Sequence, residues 1–272
     1  MPLEVADAWV EFGGGPFGGA VKTALRGVSL RLPDDRPHIL AVVGESGSGK
    51  TTLTRLLLGL LRPTRGRVRW RGQDVADLDR RAHLAYRRDV QAIFQDPFAA
   101  YNPAYLVDRM LLLPARRFGL AKSDAEARAL AEAALTAVGL RPAETLGRHP
   151  HQLSGGQRQR LMVARAVMLR PQVIVADEPV SMVDASLRAT ILESLWRLRH
   201  EAGMSLIYVT HDLTTAYQIA DSVMVMRDGA VVEEGETVQV IRHPAHPYTR
   251  ELVAAVPPPD PTIDWGLEET TA

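Results

Sequence analysis

An apolar run, HILAVVG from His38 to Gly44, passes directly into the glycine-rich GESGSGKT and then into TLTRLLLGLL from Thr52, whose leucines recur at helical spacing. This order of strand, loop and helix constrains the fold more than any other feature of the chain. It belongs to α/β architecture, in which the C-terminal end of a buried strand faces a helix N-terminus. Gly44, Gly49, Lys50 and Thr51 have the spacing of a phosphate cradle. The glycines let backbone N–H groups turn inward onto phosphate oxygens, and the helix adds the positive end of its dipole. Lys50 is expected to reach the β- and γ-phosphates, and the Thr51 hydroxyl to serve Mg²⁺. The candidate nucleotide-binding residues here are Gly44, Glu45, Ser46, Gly47, Ser48, Gly49, Lys50, Thr51 and Thr52. Lysine occurs only at Lys22, Lys50 and Lys122 among 32 basic residues, and one of the three stands in this loop. A compact ammonium fits among closely spaced phosphates where a planar guanidinium does not.

Composition narrows the class. At 272 residues, 46% hydrophobic and 24% charged, the chain can bury one large domain, or a core with a subdomain, and is expected to act in the cytosol. Cysteine is absent, which excludes disulfides, thiolate catalysis and cysteine-ligated clusters. Net charge is zero, and the one basic tract, RPTRGRVRWRG from Arg62 to Gly72, reads as a strand with one solvated face, so no nucleic-acid partner is expected. MPLEVADAWVEF has no basic segment followed by a long apolar core, and no stretch approaches the about 20 apolar residues of a membrane span. Any membrane role is expected to come through a partner. The scattered histidines, His83, His149, His151, His243 and His246, lie mostly beside prolines and are not expected to bind metal.

Along the chain, LEVADAWVEF, ALRGVSLRL and HILAVVG read as strands, with GGGPFGGA as a loop. GRVRWRGQDV continues in strands, and DVQAIFQDP gives a buried strand stopped by proline. A helical stretch follows, in which SDAEARALAEAALTAVGL has Ser123 and Glu126 at capping-box spacing and Gly139 as its C-terminal stop. LSGGQRQRLMVARAVMLRP reads as a helix opened by a glycine pair, with Arg158 and Arg160 on a solvated face. PQVIVADEP and SLIYVTHD read as parallel-sheet strands joined by the crossover helix SLRATILESLWRLRHEAG.

VIVADE buries four apolar residues and releases two carboxylates at its C-terminal end, where open α/β sheets bind ligands. Asp177 is expected to hold Mg²⁺ through its water shell, and Glu178 to orient and deprotonate an attacking water. LSGGQ repeats the phosphate-binding device: Ser154, Gly155, Gly156 and Gln157 open a helix with backbone N–H groups and a hydroxyl facing outward. A nucleotide held at Lys50 does not need both loops from one subunit. The second loop therefore points to the γ-phosphate of another chain, and to a head-to-tail pair with two shared sites.

In the order and spacing of these motifs the sequence resembles, over nearly its whole length, the ATPase subunit of an ATP-binding cassette (ABC) transporter. The resemblance implies an α/β phosphate-loop NTPase cassette over residues 1–242, with a RecA-like parallel-sheet core, an antiparallel β subdomain and an α-helical subdomain inserted at about 96–165. It implies ATP and Mg²⁺ as ligands, Gln95 as a glutamine sensing Mg²⁺ and facing membrane subunits, and Asp184 as an aspartate crossing the dimer interface. It also implies that His211 touches the γ-phosphate, and that Phe12 stacks on adenine, with Trp9, Phe17 and a core role for Phe12 as alternatives. FQDPFAAYNP, HPHQLSGGQRQR and especially HPAHPYTREL from His243 resemble the oligopeptide, dipeptide and nickel importer ATPases, which makes residues 243–272 a C-terminal extension of that type. By its residues alone, HPAHPYTREL reads as a short amphipathic turn on a surface connection. EPVSMVDAS differs from the commoner family form in having Met182 and Val183 before the aspartate. The implied partners are a second ABC ATPase chain, identical or related, transmembrane permease subunits and, indirectly, a substrate-binding protein, at the cytoplasmic face of the membrane. The alternatives are a soluble non-transport ABC ATPase and an importer of nickel or another solute.

Overall fold

Alternating burial along β1 (Leu3–Phe12) and β2 (Lys22–Arg31) turns Leu3, Val5, Ala8, Val10, Leu25, Val28 and Leu30 to one side. These strands precede β3 (Ile39–Val43), which is buried at every position. The computed structural model describes residues 3–13, 20–33, 35–96, 101–181, 183 and 185–256. After β3 come α1 (Lys50–Leu57), β4 (Arg65–Trp70), β5 (Gln73–Asp74), α2 (Arg80–Asp89) and β6 (Val90–Ile93). Four helices then run in succession: α3 (Val107–Arg117), α4 (Asp124–Ala137), α5 (Pro142–Thr145) and α6 (Gly155–Met168). The chain returns through β7 (Val173–Asp177), α7 (Ala185–His200), β8 (Ser205–Thr210), α8 (Leu213–Ile219), β9 (Ser222–Arg227) and β10 (Ala230–Glu236) to α9 (Thr237–Arg242) and α10 (Pro247–Ala254).

Two sheets result. β2, β1, β4 and β5 form an antiparallel sheet. The larger sheet has the order β10-β9-β3-β8-β7-β6 and is parallel from β9 to β6, with β10 antiparallel at one edge. Because alternate residues of a strand face opposite sides, the parallel strands feed two cores. Ile39, Ala41 and Val43 pack with Ile174, Ala176, Leu206, Tyr208 and the apolar faces of α3, α4 and α6. Leu40 and Val42 pack with Val175, Ile207 and Val209, with Leu53, Leu56 and Leu57 of α1, and with the antiparallel sheet. The basic tract is β4, with Val68 and Trp70 buried while Arg67 and Arg69 pair outward with Asp74 and Glu4.

Local sequence signals hold with two corrections. The Ser123 side chain accepts from Glu126 N at 3.2 Å, but the Glu126 carboxylate accepts from Lys122 N at 2.7 Å instead of completing a reciprocal box at Ser123. The α4 terminus is a Schellman turn, with Gly139 at φ 71° donating to Thr136 O and Leu140 donating to Leu135 O. Arg158 and Arg160 are not on a freely solvated face. Arg158 Nε donates to Leu153 O at 3.0 Å and an Arg160 guanidinium nitrogen to Gly139 O at 3.0 Å, which ties the start of α6 to the end of α4. The predicted loop GGGPFGGA lies largely outside the described residues.

β1 breaks its register with β4 between Ala6 and Trp9, where Asp7 adopts φ 46°. Gly66 fits against this bulge at φ 79°, and a Cβ there would stand 2.1 Å from Asp7 O. Gly66→Ala is therefore expected to destabilise the chain by roughly 2 kcal/mol or more, read as a lower urea midpoint.

Candidate nucleotide site

The loop between β3 and α1 is shaped by contacts that only glycine permits. Gly44 has φ 151°, and a Cβ there would lie 2.2 Å from Met226 O. Gly49, at φ 105°, would place one 2.7 Å from Ala24 O. The turn after β9 closes over the loop, with Gly229 N donating to Ser48 O at 3.0 Å and Arg26 N to Gly229 O at 2.8 Å. Lys50, the first residue of α1, is only 6% exposed. Its ammonium donates to Gly44 O at 2.6 Å and to Glu45 O at 2.8 Å. Burial lowers the Lys50 pKa, while Glu178, Asp177 and Glu45 oppose that shift.

Parallel pairing places the acidic end of β7 next to the end of β8, with Asp177 opposite Val209. The following residue, Glu178, has φ 46° and donates its N–H to Val209 O at 2.8 Å, so the backbone turns sharply at the strand end. The next turn is braced by Ser181 N and Oγ donating to Glu178 O, and by the buried Gln159 amide donating to Pro179 O at 2.6 Å. The Glu178 carboxylate sits between two partners. It accepts from Gln95 Nε2 at 2.9 Å and lies 3.1 Å from His211 Nδ1. With a proton on Nδ1, His211 donates to Glu178. His211 follows β8 directly and precedes Asp212, which caps α8 by accepting from Thr214 N and Thr215 N.

These groups line one cleft of about 870 Å³. Its lining includes Ser46, Gly47, Gly49, Lys50, Thr51 and Thr52 of the loop and α1, the mutually bonded Gln95, Glu178 and His211, and Phe12, Thr23 and Ala24 of the antiparallel sheet. Glu45 and Ser48 belong to the same loop without lining the cleft, and Asp177 ends β7 next to Glu178. Phe12 is 44% exposed, so it stands in the cleft wall and not in the core. Trp9 is engaged elsewhere, under the Arg65 guanidinium with its indole N–H on Asp7. Phe17 and Asp184 lie outside the described residues.

The structure does not bring LSGGQ to this cleft. Ser154 caps α6, its Oγ accepting from Gln157 N at 3.2 Å while Gln157 Oε1 accepts from Ser154 N at 2.9 Å. The serine hydroxyl keeps its own proton for an outside acceptor. No Cβ would meet any atom within 4 Å at Gly155, so the helix start is open.

The oxygen donors of the cleft suit a hard cation. A hydroxyl, one carboxylate and an amide oxygen, at Thr51, Asp177 and Gln95, fit Mg²⁺ that is otherwise held by water and phosphates. Among the described residues no cluster of three or more His, Cys, Asp or Glu forms an all-protein metal cage.

Sequence reasoning missed Tyr248. From Pro247 the segment HPAHPYTREL enters α10 instead of remaining a surface turn, and Tyr248 is 2% exposed. Its hydroxyl accepts from Glu45 N at 3.0 Å, so the C-terminal segment touches the phosphate loop itself.

Comparison with known proteins gives matches along the whole chain. A family model described as ABC transporter matches residues 25–181, and one described as the C-terminal region of oligopeptide/dipeptide transporters matches residues 232–271. The oligopeptide transport ATP-binding protein OppF of Escherichia coli is 42% identical over 96% of this chain and 79% of that protein. The dipeptide transport ATP-binding protein DppF of Haemophilus influenzae is 42% identical over 88% of this chain and 72% of that protein. A solved dimeric ATP-binding cassette in a post-hydrolysis state, bound to ADP and Pi, superposes with a TM-score of 0.76 at 28% identity, covering 86% of this chain and 98% of that one.

Burial, reinforced by Glu178, pushes the Asp177 carboxyl from its ordinary 3.8 up to about 6, against the pull of Lys50 and Arg55. A raised folded-state value contributes stability that is full below the unfolded value and is lost as pH rises through about 6. In the absence of nucleotide and Mg²⁺, Asp177→Asn is therefore expected to raise the melting temperature relative to wild type above pH 6. The gain should vanish near pH 4, as read from thermal unfolding across that range.

Proposed function

Because this chain belongs to the ABC transporter family, we propose that it is the ATPase subunit of an importer of oligopeptides or dipeptides. As a member of the family it is an ATPase whose hydrolysis of ATP to ADP and phosphate drives transport. The peptide cargo is supported by the names of its relatives and by the match of its C-terminal region. We assign residues 1–242 to the cassette, with the helical subdomain at about 96–165, and residues 243–272 to the C-terminal extension.

In the bound state the N–H groups of Ser46, Gly47, Ser48, Gly49, Lys50, Thr51 and Thr52 surround the phosphates, and Gly44 and Glu45 shape the turn that aims them. The Lys50 ammonium leaves the carbonyls of Gly44 and Glu45 for the β- and γ-phosphate oxygens. Phe12 stacks on the adenine. Thr51, Asp177 and Gln95 would hold Mg²⁺, which when bound would neutralise phosphate charge. Glu178 takes the proton of the attacking water, and His211 keeps the Glu178 carboxylate and the γ-phosphate in register. Ser154, Gly155, Gly156 and Gln157 of a second chain complete the site, and we assign Asp184 to the contact between the two chains. The observation that carries this reading is the Glu178 carboxylate held between Gln95 and His211 in the cleft that Lys50 and Thr51 also line.

Coupling to the membrane runs through permease subunits and, behind them, a substrate-binding protein. No helix among the described residues is long and apolar enough to cross a membrane. A groove lined by Leu60, Leu84, Phe94, Leu113 and Phe118 together with Arg87, Gln91, Arg117 and Arg165 lies beside the strand that leads to Gln95, with Leu60 63% exposed, and supports permease docking there. The chain thus works peripherally at the cytoplasmic face.

Replacing Glu178 by Gln keeps the size of the side chain and one acceptor oxygen, and removes the proton acceptor. With Mg-ATP, Glu178→Gln is expected to lower turnover by at least about 100-fold while accumulating an ATP-bound dimer on size-exclusion chromatography. Turnover equal to wild type would overturn the assignment of the base.

A further inference from the structure

The fold joins the C-terminal helix to the phosphate loop through one residue. Glu45 carries two backbone restraints from opposite directions. Its carbonyl accepts from the Lys50 ammonium at 2.8 Å, and its N–H donates to the Tyr248 hydroxyl at 3.0 Å. The Glu45 N–H shares its peptide plane with the Gly44 carbonyl, which accepts from the Lys50 ammonium at 2.6 Å, so in the nucleotide-free loop any rotation of that plane that frees the N–H also moves a carbonyl that steadies Lys50. The preceding residue cannot absorb the change, because Gly44 is packed against Met226 O.

Tyr248 is itself held tightly. It is 2% exposed, and the Arg227 guanidinium lies over its ring, 4.7 Å from the centroid. The start of α10 is fixed to β10, where the Glu233 carboxylate accepts from Ala245 N at 2.8 Å and from His246 N at 3.0 Å. His246 Nδ1 in turn accepts from Tyr248 N at 3.2 Å. The phenol therefore reaches the loop from a helix whose first turn is anchored to the main sheet. A hydroxyl delivered in this way restrains the loop without touching the cleft, whose lining does not include Tyr248.

We propose that Tyr248 is a positioning residue for nucleotide binding: through the Glu45 N–H it fixes the base of the phosphate loop, so that the C-terminal helix and the bound nucleotide stabilise one another. The proposal rests on the assignment of the loop as the nucleotide site. Linkage makes the effect reciprocal, with loss of the hydroxyl weakening nucleotide and nucleotide tightening α10.

Tyr248→Phe removes the hydroxyl and keeps the buried ring. Titration calorimetry of the full chain with Mg-ADP is expected to show binding weakened about three- to tenfold, the loss of one hydrogen bond. Glu251→Ala, on the exposed side of the same helix, is expected to bind as wild type. Hydrogen exchange supplies a readout that a purely structural role would not move. Mg-ADP should slow exchange of the α10 amides in the wild type, and Tyr248→Phe should speed exchange at Glu45. Wild-type affinity in Tyr248→Phe, or no nucleotide-dependent slowing in α10, overturns the proposal. Lys50→Ala separates the two readings: if it binds Mg-ADP as wild type, the loop assignment itself fails, whereas its loss of binding leaves only the role of Tyr248 at issue.

Discussion

The buried Lys50 ammonium sets the terms for the rest of the molecule. It lies just beyond β3, whose five residues are apolar and buried, and a charge in such a place is tolerated only where dipoles and anions face it. Two loop carbonyls supply the dipoles, and the acidic end of β7 supplies the anions. The sheet order β3-β8-β7 makes that arrangement possible, because it brings a loop made early in the chain next to carboxylates made more than a hundred residues later. The parallel crossovers, the two cores and the placement of α1 all serve to fix this geometry.

The same balance explains why the site is polarised. Asp177 and Glu178 are neighbours in sequence with different surroundings: one is half-buried near Lys50 with its proton affinity raised, the other is turned outward by a left-handed backbone into the grip of Gln95 and His211. A left-handed conformation at a residue with a side chain is costly, by on the order of 1 kcal/mol, and here it separates two adjacent carboxylates into different roles. Braces from Ser181 and Gln159 keep the turn in that state.

The strand–loop–helix unit, the two later parallel strands and the α6 cap were legible in the sequence because each is specified by residues close together in the chain. The phosphate loop needs only its glycine spacing, and the start of α6 only Ser154 and the glycine pair that follows it, whereas its reciprocal box with Gln157 emerged from the structure. Other features depend on distant partners and left no local mark. The Gln95–Glu178 contact spans 83 residues and was approachable only through a family resemblance. HPAHPYTREL carries too few residues for a periodicity, so nothing in it revealed that Tyr248 would be buried against Arg227 and Glu45. At the far end of the sheet, His38 bonds Ser222 at 2.7 Å and the Asp221 carboxylate accepts from Ile39 N, a polar closure made by residues more than 180 positions apart. Arg158 and Arg160 misled for the related reason that a helical wheel does not show which neighbouring carbonyls a long side chain will find.

The closed capping box of Ser154 and Gln157 has a consequence for recognition. The start of α6 reaches its final shape during folding, with no anion present, so the ordering entropy of these residues is already lost before any ligand arrives. An incoming anion meets a rigid socket and is selected by fit and desolvation alone, which favours a group delivered in fixed orientation on a rigid body over one diffusing freely in solution.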